Sequence, residues 1–242
     1  LQKELHLHDM KSRFVSMASH EFRTPLSSVL SSASLIAKYT TTEQQPNRDK
    51  HVKRIRESVK HLNDLLEDFL SLGKLDEGKI GAQKGEFLLS ETIHDTIDEV
   101  RGMVRNGQEI KYDHNGPDEV YSDKKLLKNI LINLISNALK FSPEDATVEV
   151  GSEVQEGVAN IRVTDKGIGI SEEDQEHLFS SFFRGKNAIN IQGTGLGLHI
   201  VKRYTELIGG SINLKSALGE GTTVTVTIPI NENQHGEDNS GH

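Results

Sequence analysis

The sequence predicts an α+β protein, an antiparallel helical hairpin followed by a mixed β-sheet domain with helices on one face. Three observations predict it. Apolar residues recur at helical spacing from Leu1 to Phe69. Beyond them, strand-like alternation and helix-like periodicity mix without the regular order of a parallel doubly wound fold. Polar stretches rich in glycine separate the patterns.

The first helix is expected from about Leu1 to Tyr39, with Met10, Phe14, Met17, Phe22, Leu26, Val29, Ala33 and Ile36 on one face. Thr40 to Asn47 is polar, contains Pro46 and reads as a turn. The second helix carries Val52, Ile55, Val59, Leu62, Leu66 and Phe69, a heptad-like alternation. A two-helix hairpin cannot shield such a stripe alone. Two hairpins can, as a dimeric four-helix bundle, so a homodimer is expected. The alternative is a hairpin packed on the rest of its own chain.

Four glycines between Gly73 and Gly85 mark a linker or hinge. The expected partition is a hairpin over 1–80, a linker over 81–85, a second domain over 86–231 and a disordered polar tail over 232–242. In the second domain Phe87 to Leu89 reads as a short strand, and Ser90 as the cap of a helix whose core face is Ile93, Ile97, Val100 and Val104. Short strands are expected over Glu109 to Asp113 and Glu119 to Tyr121, then a helix over Asp123 to Phe141. Thr147 to Val154 and Val158 to Thr164 flank Glu156-Gly157 as a hairpin. A helix over Leu196 to Ile208 and strands over Ser211 to Ser216 and Thr222 to Pro229 close the domain.

Composition narrows the function. The chain has 242 residues, 34% hydrophobic and 26% charged, as in a soluble globular protein. A net charge of −8 argues against non-specific nucleic-acid binding, which needs cations to displace counterions. Without cysteine there is no disulfide, thiolate nucleophile or Cys-based zinc site, which suits a reducing cytoplasm. No apolar run reaches the length of a membrane span, so no membrane contact is expected of this stretch itself. Because it starts at Leu1 rather than Met, the stretch is expected to belong to a longer, membrane-anchored or sensor-bearing chain.

His20 stands apart from the other histidines. It falls off the apolar stripe and should face water, Glu21 follows it, and Pro25 should bend the helix nearby. A neutral imidazole has one nitrogen free to attack phosphorus, and a carboxylate that takes the proton from the other makes it more nucleophilic. Glu21 is the candidate base. The product, a phosphoramidate, suits onward transfer to a carboxylate. Ordinary surface histidine is the plain alternative.

On the Asp123 to Phe141 helix, Leu127, Leu131, Leu134 and Ala138 form an apolar stripe, and Asn129, Asn133, Asn137 and Lys140 a polar one. The polar stripe is either plain surface or a site for magnesium and phosphate, since an amide oxygen is a hard ligand and a lysine supplies positive charge. Asp165 can accept from an adenine amino group, and Gly167 and Gly169 let the backbone approach a base. Gly193-Thr194-Gly195-Leu196-Gly197 runs into a helix, where backbone amides bind phosphate oxygens. Its spacing is neither a P-loop nor a Rossmann fingerprint. The polar stretch from Gly185 to Gln192 reads as a lid.

Ser19-His20-Glu21-Phe22-Arg23-Thr24-Pro25-Leu26 resembles the phospho-acceptor box of bacterial sensor histidine kinases, and four further segments resemble their other boxes in family order. Asn133 to Phe141 resembles the asparagine box, Asp165 to Ile170 the first glycine box, Leu178 to Arg184 the phenylalanine box, and Gly193 to Leu198 the second glycine box. The resemblance runs from about Leu5 to Ile230. It implies a Bergerat-type ATP-binding domain, ATP with Mg²⁺, autophosphorylation of His20 and transfer to an aspartate of a response regulator. It further implies that Thr24 positions water when the partner is dephosphorylated and that Asn137 holds the metal. Lys140 would face the phosphates, Phe141 and Phe183 would lie in the nucleotide pocket, and Arg184 would reach the γ-phosphate. Gln192 stands where the family often has glycine, and His199 where it often has a small residue. The competing expectations are another ATPase with the same nucleotide fold, which would lack the His20 segment, and a phosphatase-biased or non-catalytic scaffold.

Overall fold

The computed structural model describes residues 2–188, 191 and 193–230, with the side chains of 18–75 and of those from 77 onward. The chain forms two compact units that part between Asp76 and Glu77.

In the first unit α1 (Gln2–Ile36) and α2 (Gln45–Asp76) pack as a hairpin. Pro25 lies inside α1, where its ring leaves the Glu21 carbonyl without its usual donor, and the helix continues through it. The turn is tighter than the composition suggests. A 3-10 turn over Thr42–Gln44 leads straight into α2, and Pro46 sits in the helix's first turn, where its missing N–H is not needed. The Gln44 side chain closes the turn by accepting from the amides of Thr40 at 3.0 Å and Thr41 at 3.3 Å. Helix α2 continues through Gly73 to Asp76, so the first residues of the expected linker are helical and the units part ahead of residue 80.

The heptad in α2 resolves into three neighbouring lines. His51, Ser58, Leu65 and Leu72 are buried within the hairpin. Ile55, Leu62 and Phe69 are half-buried beside them, and Phe22 of α1 stacks on Phe69 with ring centroids 5.6 Å apart. Val52, Val59 and Leu66 stay exposed. On α1 the buried line is Pro25 and Ser32, while Leu26 and Leu30 remain 54% and 72% exposed. The hairpin therefore uses one line internally and leaves the adjoining apolar one open. The side chains of Met10, Phe14 and Met17 lie outside the described residues.

In the second unit β1 (Gly85–Leu88) pairs antiparallel with β3 (Glu119–Ser122). Between them run α3 (Leu89–Val100) and β2 (Glu109–Asn115). Ser90 is not the cap of α3: Leu88 holds that position, and the cap is supplied from a distance by Asp118, whose Oδ1 accepts from the Ser90 amide at 2.7 Å. Ile93, Ile97 and Val100 are buried as expected, whereas Val104 lies past the helix and is half-buried.

Then follow α4 (Lys124–Phe141), β4 (Thr147–Gln155), β5 (Val158–Asp165), α5 (Glu172–Gln175), α6 (Gly197–Leu207), β6 (Ser211–Ala217) and β7 (Gly221–Pro229). The sheet order is β2-β4-β5-β7-β6, parallel at β2–β4 and antiparallel elsewhere. The β4–β5 turn has Glu156 at φ 52° and Gly157 at φ 77° with Gln155 opposite Val158, a two-residue hairpin whose twist matches its strands.

Alternate residues Val148, Val150 and Val154, Ala159, Ile161 and Val163, and Val224, Val226 and Ile228 are buried on one face. Helices α3, α4 and α6 form the adjoining layer, with Leu127, Ile130, Leu131 and Ile135 of α4 fully buried. Among the described residues no helix is long and apolar enough to cross a membrane. The expected tail lies outside the described residues.

Candidate functional site

Two sets of side chains stand out, one on each unit. On α1, His20 is 74% exposed and its Nδ1 lies 3.6 Å from the Glu21 carboxylate. A carboxylate there favours the proton on Nδ1 and leaves the Nε2 lone pair facing water. Thr24 sits one turn on and exposed, its hydroxyl directed to the His20 carbonyl at 3.4 Å.

The second set is built around α4. Asp123 caps that helix by accepting from the Leu126 amide at 2.9 Å, and its other oxygen accepts from the Gln83 amide at 2.6 Å. The apolar stripe is buried as expected, and Asn129, Asn133, Asn137 and Lys140 are all half-buried along the helix flank. Asn133 donates to the Asn129 carbonyl at 3.0 Å, and its own amide oxygen lies against Gly197. Asn137 has no hydrogen-bond partner among the described residues.

The start of α6 closes on this stripe. A Cβ on Gly197 would lie 2.9 Å from the Asn133 amide oxygen and 3.9 Å from the Asn137 nitrogen. A Cβ on Gly193 would lie 2.5 Å from the Lys140 ammonium. The Gly195 carbonyl accepts from the Phe182 amide at 3.0 Å, and Thr194 accepts from the Leu196 amide at 3.1 Å. The second glycine segment, the phenylalanine segment and α4 therefore meet at one place.

That place is cationic. Burial, followed by the nearby Arg184 guanidinium, lowers the Lys140 pKa to about 8. Arg184 donates to the carbonyls of Ala188 at 3.1 Å and Ile191 at 2.6 Å. Lys140 also lies over the Phe141 ring, 4.9 Å from its centroid. Phe183 is half-buried and packs against His177.

Asp165 ends β5. Its Oδ1 accepts from the amides of Gly167 at 2.8 Å and Thr222 at 3.2 Å, and Oδ2 takes no hydrogen bond from the described residues. Burial raises its pKa despite those two donors. The turn beyond it brings backbone against backbone: at Gly169, with φ +64°, a Cβ would fall 1.8 Å from the Ala217 carbonyl oxygen, so only glycine fits. A Cβ on Gly167 would lie 2.7 Å from the Phe141 carbonyl oxygen, which ties this turn to the end of α4.

Sequence reasoning passed over several supports. Thr222 reaches Asp165 across 57 positions, and no local signal marks it. Buried Asp174 holds the Lys186 amide at 3.0 Å, and Asn187 donates to the Gly169 carbonyl at 2.8 Å, so the first part of the expected lid is tied to the glycine turn. A run of Ser171 and three acids was its only trace. His199 has a structural use: its Nδ1 lies 2.8 Å from the Phe179 carbonyl and joins α6 to the phenylalanine segment. Gln192 lies outside the described residues.

The sequence matches two family models. His Kinase A (phospho-acceptor) domain covers residues 10–78, and Histidine kinase-, DNA gyrase B-, and HSP90-like ATPase covers residues 122–232. The chain is similar to the circadian input-output histidine kinase CikA of Synechococcus elongatus, 36% identical across 90% of this chain and 30% of that protein. Full-length ShkA, solved with AMPPNP, is 26% identical with a TM-score of 0.66, over 90% of this chain and 46% of that one. Histidine kinase ThkA, solved with response regulator protein TrrA, shares the fold at 22% identity and a TM-score of 0.70, over 95% of this chain and 64% of that one. The chain spans about a third of the length of the first curated relatives it matches.

Proposed function

The chain belongs to the histidine kinase family of two-component signalling, and from that premise we propose that it binds ATP, phosphorylates His20 and passes the phosphoryl group to an aspartate of a response regulator. The observation that carries this reading is the meeting of the polar flank of α4 with the glycine-rich entrance to α6, where a Cβ on Gly193 would lie 2.5 Å from the Lys140 ammonium and one on Gly197 2.9 Å from the Asn133 amide oxygen. A half-buried ammonium beside a glycine-rich helix start suits an anion. A polyphosphate meets that need, and the backbone around Gly193, Thr194, Gly195, Leu196 and Gly197 supplies further donors.

The other contacts follow from chemistry. Asp165, with Oδ2 unengaged by the described residues, accepts from the adenine amino group. Phe141 and Phe183 flank the nucleotide, and Gly167 and Gly169 allow close approach to the base. The metal reading fits the donor set. Among the described residues no three His, Cys, Asp or Glu side chains gather to hold an ion. Magnesium needs no such cage, because one or two protein oxygens, water and the phosphates complete its shell. Asn137 would give its amide oxygen, and the bound ion would neutralise phosphate charge.

For transfer, His20 Nε2 attacks the γ-phosphorus in line as the β,γ-bridging P–O bond breaks and ADP leaves. Glu21 takes the Nδ1 proton as the imidazole becomes a phosphoramidate. Arg184 and Lys140 offset charge on the departing phosphates. The phosphoramidate then gives its phosphoryl group to the regulator's carboxylate. Thr24, one turn along, would orient water when that acyl phosphate is hydrolysed. The open stripe of the hairpin supports a homodimer, and use of ATP suits a cytoplasmic location.

Incubation with γ-labelled ATP should give alkali-stable, acid-labile label on the wild type and none on His20→Gln. Unchanged label on the variant sinks the nucleophile assignment.

A further inference from the structure

We propose that Arg105 and Gln108 are positioning residues of the nucleotide site, gripping the last turn of α4 from behind so that Lys140 and Phe141 are held in place. The inference rests on the ATP-site reading above and adds to it two residues that no box of the sequence contains.

A helix ends with carbonyls that have no partner within it. At the end of α4 they are satisfied from the loop between α3 and β2. The Arg105 guanidinium donates to the carbonyls of Leu139 at 2.8 Å and Lys140 at 3.2 Å, and also to that of Ser142. The Gln108 amide donates to Leu139 at 3.0 Å, Ser142 at 3.4 Å and Pro143 at 3.0 Å. A cation on the carbonyl end of a helix also meets the negative end of its dipole.

The grip is itself organised. The Arg105 amide donates to the Gln108 side-chain oxygen at 3.0 Å, and the Gln108 amide to the Arg105 carbonyl at 3.0 Å. Gln108 is 6% exposed, so its amide has little access to water as a substitute.

What the two residues hold is the segment that carries the site. The gripped carbonyls run from Leu139 to Pro143 and so straddle Lys140 and Phe141. The Phe141 carbonyl lies against the Gly167 turn, which also donates to Asp165. Phosphate-facing cation and ring therefore sit on the gripped turn, and the turn that donates to the adenine acceptor packs against it. A terminal turn left unpaired frays readily, and fraying here moves the first two and loosens the support of the third.

The test is autophosphorylation of the full chain against ATP concentration, with nucleotide Kd from competition with a fluorescent analogue and Tm from thermal melts. Arg105→Ala should raise Kd and KM about tenfold, with most of the loss in KM rather than kcat, the signature of weakened binding. Arg105→Lys keeps the charge but shortens the reach to the three carbonyls that one guanidinium nitrogen serves, and should fall between. A lowered Tm with wild-type Kd in Arg105→Ala overturns the inference and leaves only a structural role. If Arg105→Ala does not fold, Arg105→Lys decides: a Kd raised about threefold supports the grip, and a wild-type Kd overturns it. Absence of saturable ATP binding in the wild type defeats the site reading itself, whereas saturable wild-type binding with unaltered variants defeats the grip alone.

Discussion

Lys140 makes the electrostatics of the site testable one residue at a time. Its pKa is lowered by burial and by Arg184 to about 8, from 10.5. As pH rises through about 8 the free protein loses this charge, so ATP binding weakens by up to about tenfold per pH unit until the bound triphosphate can no longer restore the proton. Stability runs the other way. The unfolded chain binds this proton up to a higher pH, so the Lys140 contribution to stability rises with pH between about 8 and 10.5. Nucleotide Kd measured from pH 7 to 9.5 checks this, with Lys140→Arg as comparison because arginine keeps its charge throughout. A flat wild-type profile refutes it. Asp165→Ala should weaken ATP binding about tenfold or more through loss of the buried acceptor, read by the same competition assay. Lys140, Asp165 and His20 could be singled out as candidates in the sequence because each sits in a short motif whose chemistry is local. Thr222, Arg105 and Gln108 were not, because their meaning lies in carbonyls and carboxylates far along the chain.

Elements were legible where a local rule decides them. Glu156-Gly157 between two alternating runs demands a two-residue turn with both residues at positive φ, and the structure has it. Gly157→Val should therefore cost about 1–2 kcal/mol, read as a lower Tm, because a β-branched residue resists that conformation. The Asp123 cap is equally local, but its second oxygen also holds the Gln83 amide. Asp123→Ala should cost about 1–2 kcal/mol and speed hydrogen exchange at Gln83; protected exchange in the variant would show that this oxygen does not hold the chain there. Where partners are distant, local reading fails. Ser90 looks like a cap, yet Asp118 supplies it, and the parallel pairing of β2 with β4 follows from a crossover through β3 and α4 that no periodicity in β2 reveals. The polar turn with Pro46 looked longer than it is because proline, a helix breaker elsewhere, is tolerated in a first turn.

At the scale of the whole molecule, the hairpin pattern announced an apolar stripe but not which line of it faces its own partner helix. A heptad places two lines side by side. The stripe read from the sequence held Val52, Ile55, Val59, Leu62, Leu66 and Phe69, whereas the line buried within one chain includes His51 and Ser58 opposite a helix that contributes Pro25 and Ser32. Small and polar residues share the inner line with Leu65 and Leu72, and other leucines are left outside. Leu26, Leu30, Leu66 and Leu70 are 49–72% exposed, and burying the remaining exposed part of each against a second copy is worth about 1–2 kcal/mol. Twofold symmetry counts every such residue twice. Leu30→Glu combined with Leu70→Glu would place four like charges in that interface, so the doubly substituted protein should sediment as a monomer at micromolar concentration while the wild type sediments as a dimer. Nucleotide Kd should be unaltered, since no residue of the ATP site lies on the hairpin. A variant that remains dimeric would mean that copies join through another surface, and a wild type that is monomeric would mean that the stripe is covered by its own chain.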